Sequence, residues 1–319
     1  MNIPIIIIHQ GNPFYLERCL HHAQVYNPNN TIYLLGDESN CHLANKQVKH
    51  VNISDYFSSA KDFAKLYRHQ TTNPYQYNLF CFQRWFLLRE FMEAKHFQRV
   101  FVCESDELLF CDVEKACAQY FDFDFTLLDG RFANSIFMSH QGIVKFTDFL
   151  NFAYTDKYMI TCIDNQYTRC FHKGKRISMG GIDDMGLFIL YTQHYTNVAD
   201  TSNPVDGCCW DTAIYQSYGF QMENGIKKIT WIDDLPYATY KNGELIRMLG
   251  LHFLGKNKMK EYLFFVDDNK KHIDPKTLKW MMFKQWIIKI FNGFKRFPFF
   301  ARRFFQKHSC TFWRKWYRL

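Results

Sequence analysis

The stretch Ile3-Pro4-Ile5-Ile6-Ile7-Ile8-His9, followed at once by Gly11-Asn12-Pro13, decides how the chain is read. An apolar, β-branched run of that kind fits a strand covered on both faces, as in a parallel sheet, and the Gly-Asn-Pro triplet ends it in a loop. Residues 17–26 then predict a helix that stops before Pro28, and residues 31–35 a strand that ends at Gly36-Asp37. The chain therefore opens on a βαβ unit. Working outward, residues 48–53 predict a third strand, residues 80–95 a helix by periodicity, and residues 100–103 a short buried strand that runs into Glu104-Ser105-Asp106. Alternating strands and helices predict an α/β fold, a mostly parallel sheet flanked by helices, whose ligands bind beyond the carboxyl ends of the strands. Residues 121–195 predict strands mixed with irregular loops.

The chain has 319 residues and is 47% hydrophobic, ample for a buried core. No internal repeat and no low-complexity linker divides residues 1–270, so residues 1–274 read as one domain and residues 275–319 as a tail of different character. The eleven cysteines form no CxxC pair and have no histidine at zinc-ligand spacing, which predicts reduced thiols and a cytoplasmic home. The N-terminal apolar run is too short for a signal peptide or a span, and no stretch stays apolar for the roughly 20 residues that a spanning helix needs.

The net charge of +8 is unevenly placed. Residues 279–319 hold eleven Lys and Arg and no acid, which leaves 28 basic against 31 acidic residues before them, about −3. Trp280, Phe283, Trp286, Phe299, Phe300, Trp313 and Trp316 are interleaved with those cations, and Pro298 divides the tail in two. The pattern predicts interfacial helical pieces on an anionic membrane surface, peripheral on its inner face. Aromatics among cations also suit single-stranded nucleic acid, but the acidic remainder offers no wider basic surface, so no nucleic-acid partner is expected.

Two strings carry candidate chemistry. Glu104 and Asp106, at i and i+2 past a hydrophobic strand, can converge on one hard cation, and oxygen ligands suit Mn²⁺ or Mg²⁺. Far along the chain, His252-Phe253-Leu254-Gly255-Lys256-Asn257-Lys258 offers an imidazole nitrogen to the same ion, a glycine at Gly255 where backbone can approach a phosphate, and a cation at Lys258. A neutral imidazole is needed to ligate, so activity is expected to decline as pH falls through roughly 6.5. Arg84, one helix earlier, can point a guanidinium at a phosphate or lie on a solvated helix face, and His9 opens the loop after the first strand. Asp183-Asp184, after a glycine pair, either stands in a turn against a ligand or is a helix N-cap before residues 185–191.

Together the strings resemble the metal-dependent GT-A glycosyltransferases, especially the glycogenin-like group with its D-x-D and H-x-x-G-x-x-K motifs. The resemblance, over residues 1 to 265, implies a GT-A fold in which Glu104, Asp106 and His252 hold Mn²⁺ or Mg²⁺. It further implies that His9, Arg84, Glu104, Asp106, Gly255 and Lys258 bind a nucleotide-diphosphate sugar, a UDP-sugar. Asp183 or Asp184 would be catalytic on the acceptor side, the acceptor a surface glycan or lipid-linked sugar, and the configuration retained. Glu104 stands where that group has Asp, which implies contact with the ion through water and keeps an inactive scaffold as an alternative. Met259-Lys260 replaces the usual Pro-Trp after Lys258. The turn Gly36-Asp37-Glu38-Ser39-Asn40 and the string His252-Phe253-Leu254-Gly255-Lys256 are similar to bacterial enzymes that build surface polysaccharide.

Overall fold

The computed structural model describes residues 3–172, 175–178, 180–274 and 276–277. The elements below belong to the unit Met1–Glu261 with Phe265–His272, apart from a 3₁₀ stretch at Gly255–Phe264 that runs past it. In order they are β1 (Ile5–Ile8), α1 (Leu16–Tyr26), β2 (Ile32–Gly36), β3 (Val48–Asn52), α2 (Ser58–Leu66), α3 (Tyr75–Lys95), β4 (Arg99–Cys103), β5 (Glu107–Leu109) and α4 (Val113–Cys117). There follow β6 (Phe125–Leu127), β7 (Ser135–Ser139), α5 (His140–Ala153), α6 (Lys157–Thr168), a hairpin of β8 (Phe171–His172) and β9 (Lys175–Arg176), α7 (Asp184–His194) and β10 (Val198–Asp200).

Seven strands make one sheet in the order β10-β6-β7-β4-β1-β2-β3. β1 pairs in parallel with β2 and β4, β2 with β3, and β6 with β10, while β7 runs antiparallel to β4 and β6. The mixed α/β architecture read from the sequence is the one observed. Period-two alternation sorts the first strand between two cores: Ile5 and Ile7 pack with Leu16, Leu20 and Ala23 of α1, and Ile6 packs in the other layer with Phe82, Trp85 and Phe86 of α3.

The differences lie in local detail. α3 starts at Tyr75, earlier than its periodicity indicates, because Pro74 in an extended conformation delivers the chain to the first turn; His96 at φ 55° closes the helix on the Met92 and Glu93 carbonyls. The described residues of 121–195 hold the expected short strands, β6 to β9, and loops, but also the helices α5 and α6, which the sequence did not announce, and α7, the helix of the N-cap alternative. In α5 the spacing of Ile143, Phe146, Leu150 and Ala153 gives a buried stripe, and Phe146 stacks on Phe188 of α7 with centroids 3.9 Å apart. None of the ten described cysteines is disulfide-bonded. Among the described residues no helix is long and apolar enough to cross a membrane. The expected basic, aromatic tail at 279–319 lies outside the described residues.

The chain after β10 forms β11 (Cys208–Cys209), a hairpin of β12 (Met222–Glu223) and β13 (Ile226–Lys227), then β14 (Ile229–Ile232), β15 (Leu235–Thr239), β16 (Leu245–Met248) and β17 (Gly250–His252). A four-stranded sheet has the order β11-β16-β15-β14, and β17 pairs antiparallel with β5.

Candidate active site

The site is built at the carboxyl edge of the large sheet. β1 and β4 are parallel neighbours, Ile5 opposite Phe101 and Ile6 opposite Val102, so the loop from His9 and the turn Glu104-Ser105-Asp106 leave the sheet side by side. His9 Nδ1 and Ser105 Oγ are hydrogen-bonded at 2.8 Å. The 9–11 loop is in turn clamped by the turn after β2: Asn40 Nδ2 donates to the carbonyls of His9 (3.0 Å) and Gly11 (2.8 Å), and the Gly11 N–H donates to Asp37 Oδ2 at 2.7 Å.

His252 arrives through the register of β17 on β5, which sets it opposite Glu107. The Phe253 N–H donates to the Asp106 carbonyl at 2.9 Å. One ligand atom each from Glu104, Asp106 and His252 lies within 4.8 Å of the others. His252 Nδ1 is 2.8 Å from the Thr212 carbonyl, which only accepts, so Nδ1 carries the proton. Nε2 is buried with no hydrogen-bond partner, 3.4 Å from Glu104 Oε2 and 3.6 Å from Asp106 Oδ1. A buried, unpaired nitrogen facing two carboxylates fits a divalent ion with oxygen and imidazole ligands, and Glu104 Oε2 is near enough to join the set directly.

Two cations flank these acids. Arg84 donates to Glu104 Oε1 at 2.8 Å and to Asp184 Oδ2 at 2.7 Å, and Trp85 Nε1 also reaches Asp184 Oδ2 at 3.1 Å. Lys258 Nζ is 3.0 Å from Asp106 Oδ2 and 3.2 Å from the Tyr15 hydroxyl, over the Tyr15 ring at 4.4 Å from its centroid. Burial opposes charge on Asp106, but His252 and Lys258 outweigh it and hold the carboxyl well below the usual range. Burial likewise opposes charge on His252, yet Asp106 and then Glu104 raise its pKa well above the ordinary imidazole value. Protons therefore compete for Nε2 at higher pH than the expected 6.5. For His9, burial first and Lys258 second lower the pKa.

A cavity of about 700 Å³ adjoins these groups, lined by the 9–13 loop, by Tyr77, Phe80 and Arg84 of α3, and by Glu104, Asp106 and Lys258. Gly255 takes φ 64°, a conformation only glycine adopts freely, and frees the chain to turn from Leu254 toward Lys258. Asp183 and Asp184 do not line the cavity. Asp183 Oδ1 caps α7 by accepting from the Gly186 N–H at 2.9 Å, the N-cap alternative, and Asp184 is buried against Arg84 and Trp85. Tyr15, Tyr77, Thr212 and Lys227 carry no motif and were not legible as site residues, and neither was Asp211, which accepts the His252 N–H at 3.0 Å.

No protein-family model matches the chain, and no curated protein matches it in sequence. Solved structures that it is similar to include glycosyltransferases. Mouse xyloside xylosyltransferase 1, in its apo form, aligns with a TM-score of 0.46 at 6% identity over 62% of this chain and 84% of that one. The galactosyltransferase LgtC, solved with donor and acceptor sugar analogs, aligns at 0.39 and 12% identity over 63% and 73%. The apo bifunctional glycosyltransferase WbbM aligns at 0.39 and 10% identity over 66% and 40%. Likeness at these scores carries neither fold nor reaction over to this chain.

Proposed function

We propose that the chain is a metal-dependent glycosyltransferase of GT-A type that moves a sugar from a nucleotide-diphosphate donor, a UDP-sugar, to a glycan or lipid-linked acceptor. The observation that carries this reading is the convergence of Glu104, Asp106 and the unpaired His252 Nε2 beside a cavity of about 700 Å³. The imidazole in the donor set favours Mn²⁺ over Ca²⁺, while the carboxylates also suit Mg²⁺. When bound, the ion neutralises charge that grows on the leaving diphosphate.

The chain's own groups do the rest. Lys258, tethered to Asp106 and Tyr15, is placed to take a diphosphate oxygen. Arg84 is held by two carboxylates and so presents a fixed guanidinium to the cavity. The 9–11 loop, pinned by Asn40 and Asp37, receives the nucleoside. Asp184 works through Arg84, and Asp183 keeps α7 in place behind it.

The test is a panel of nucleotide sugars with and without Mn²⁺, read by melting temperature and by donor hydrolysis. A true donor stabilises by about 2.7 kcal/mol at a hundred times its Kd, and only when metal is present. If no nucleotide sugar raises the melting temperature under either condition, the proposed function is wrong.

A further inference from the structure

We infer that Lys227, which does not line the cavity, is a positioning residue that fixes the ring of His252 through Asp211 and the 211–213 backbone; this rests on the metal-site reading above. Lys227 is 1% exposed and Asp211 0%, and their Nζ–Oδ1 distance is 2.6 Å. Nζ also donates to the Ala213 carbonyl at 2.7 Å, so one ammonium grips the residues on both sides of Thr212. Between those grips the Thr212 carbonyl accepts the His252 Nδ1–H at 2.8 Å. The other Asp211 oxygen accepts the His252 backbone N–H at 3.0 Å. The backbone closes the clamp: the Lys227 N–H donates to the Ile214 carbonyl at 2.7 Å, and the Ile214 N–H to the His252 carbonyl at 2.9 Å.

Burying two ions costs several kcal/mol each, and an apolar pair of the same volume holds a fold as well or better, so stability alone does not account for this pair. Its geometry does. With Asp211 and Ala213 tied to one cation, the Thr212 carbonyl cannot turn away, the proton of His252 stays on Nδ1, and Nε2 faces Glu104 and Asp106. Outer partners of this sort set ligand orientation, and their loss weakens metal binding roughly 10- to 100-fold.

The experiment uses the full chain carrying Lys227→Met together with Asp211→Asn, since Lys227→Met alone strands a buried charge. A second variant is Asp211→Asn alone, in which one carboxylate oxygen becomes a donor and one of the two Asp211 contacts breaks; it leaves the Lys227 ammonium buried on the Ala213 carbonyl without its counterion, and is read only where it melts as a folded protein. Mn²⁺ affinity is measured by calorimetry and the His252 Nδ1–H by ¹H–¹⁵N spectroscopy without metal, with melting curves selecting folded variants. We expect a slowly exchanging Nδ1–H in wild type, its loss in either folded variant, and Mn²⁺ binding weaker roughly 10- to 100-fold. A folded variant that keeps both the protected Nδ1–H and wild-type Mn²⁺ affinity overturns the inference. If wild type binds no Mn²⁺, the metal reading fails, and the Nδ1–H alone decides the clamp: its persistence in a folded variant refutes it.

Discussion

At the scale of single residues, the site is a problem in where buried charge goes. Glu104 and Asp106 keep theirs because Arg84 and Lys258 stand within ion-pair distance. Glu261 does not: it is 0% exposed, its nearest cation, Arg18 Nη1, is 4.0 Å away, and burial pushes its pKa to about 9. Below its unfolded value near 4.5 the carboxyl is protonated in both states and folding is unaffected; between 4.5 and 9 folding must take up a proton. The loss is about 1.4 kcal/mol per pH unit, on the order of 3 kcal/mol by pH 7. Glu261→Gln keeps the shape without the titration, so its melting temperature should match wild type at pH 4 and exceed it increasingly toward pH 8. A gap independent of pH contradicts this account. The residue types of the site were legible, as two acids and a histidine at telling spacings, but which groups neutralise them was not, because charge pairing is settled by packing.

Among the elements, β5 and β17 matter most to the chemistry, since their register alone brings His252 to the acidic turn. β1, α1 and β2 were readable because continuous apolar runs and their punctuation are local signals. The β5–β17 pairing was not, because a three-residue strand has too little pattern to announce a distant partner. The turn after β2 shows a middle case. Gly36-Asp37 is legible as a strand end and the full Gly-Asp-Glu-Ser-Asn string only as a resemblance, while its physical role is steric: a Cβ on Gly36 would stand 2.0 Å from Asn40 Oδ1, the side chain that holds the 9–11 loop. Gly36→Ala should cost about 1–3 kcal/mol by overpacking and loosen donor binding. Removing the obstructing side chain as well, Gly36→Ala with Asn40→Ala, should destabilise less than the sum of the single changes. Strict additivity in denaturant melts would refute that contact.

For the whole molecule, the charge divides sharply, about −3 before residue 279 against eleven cations and no acid after it. We propose that this tail meets an anionic membrane and so keeps the chain near lipid-linked acceptors. Liposome flotation of the full chain and of a chain ending at Lys276 tests this: only the full chain should float with anionic vesicles, and less so in salt, at about 1 kcal/mol per cation near the surface. Equal behaviour of the two chains at low salt rules out a membrane role for the tail. The central claim, that Asp106 and His252 share one divalent ion, is tested most directly by titrating Mn²⁺ into nucleotide-sugar turnover in wild type, Asp106→Asn and His252→Ala. The account predicts saturable activation in wild type and loss of metal-stimulated turnover in both folded variants; metal-independent turnover in wild type, or an unchanged Mn²⁺ response in both variants, would contradict it.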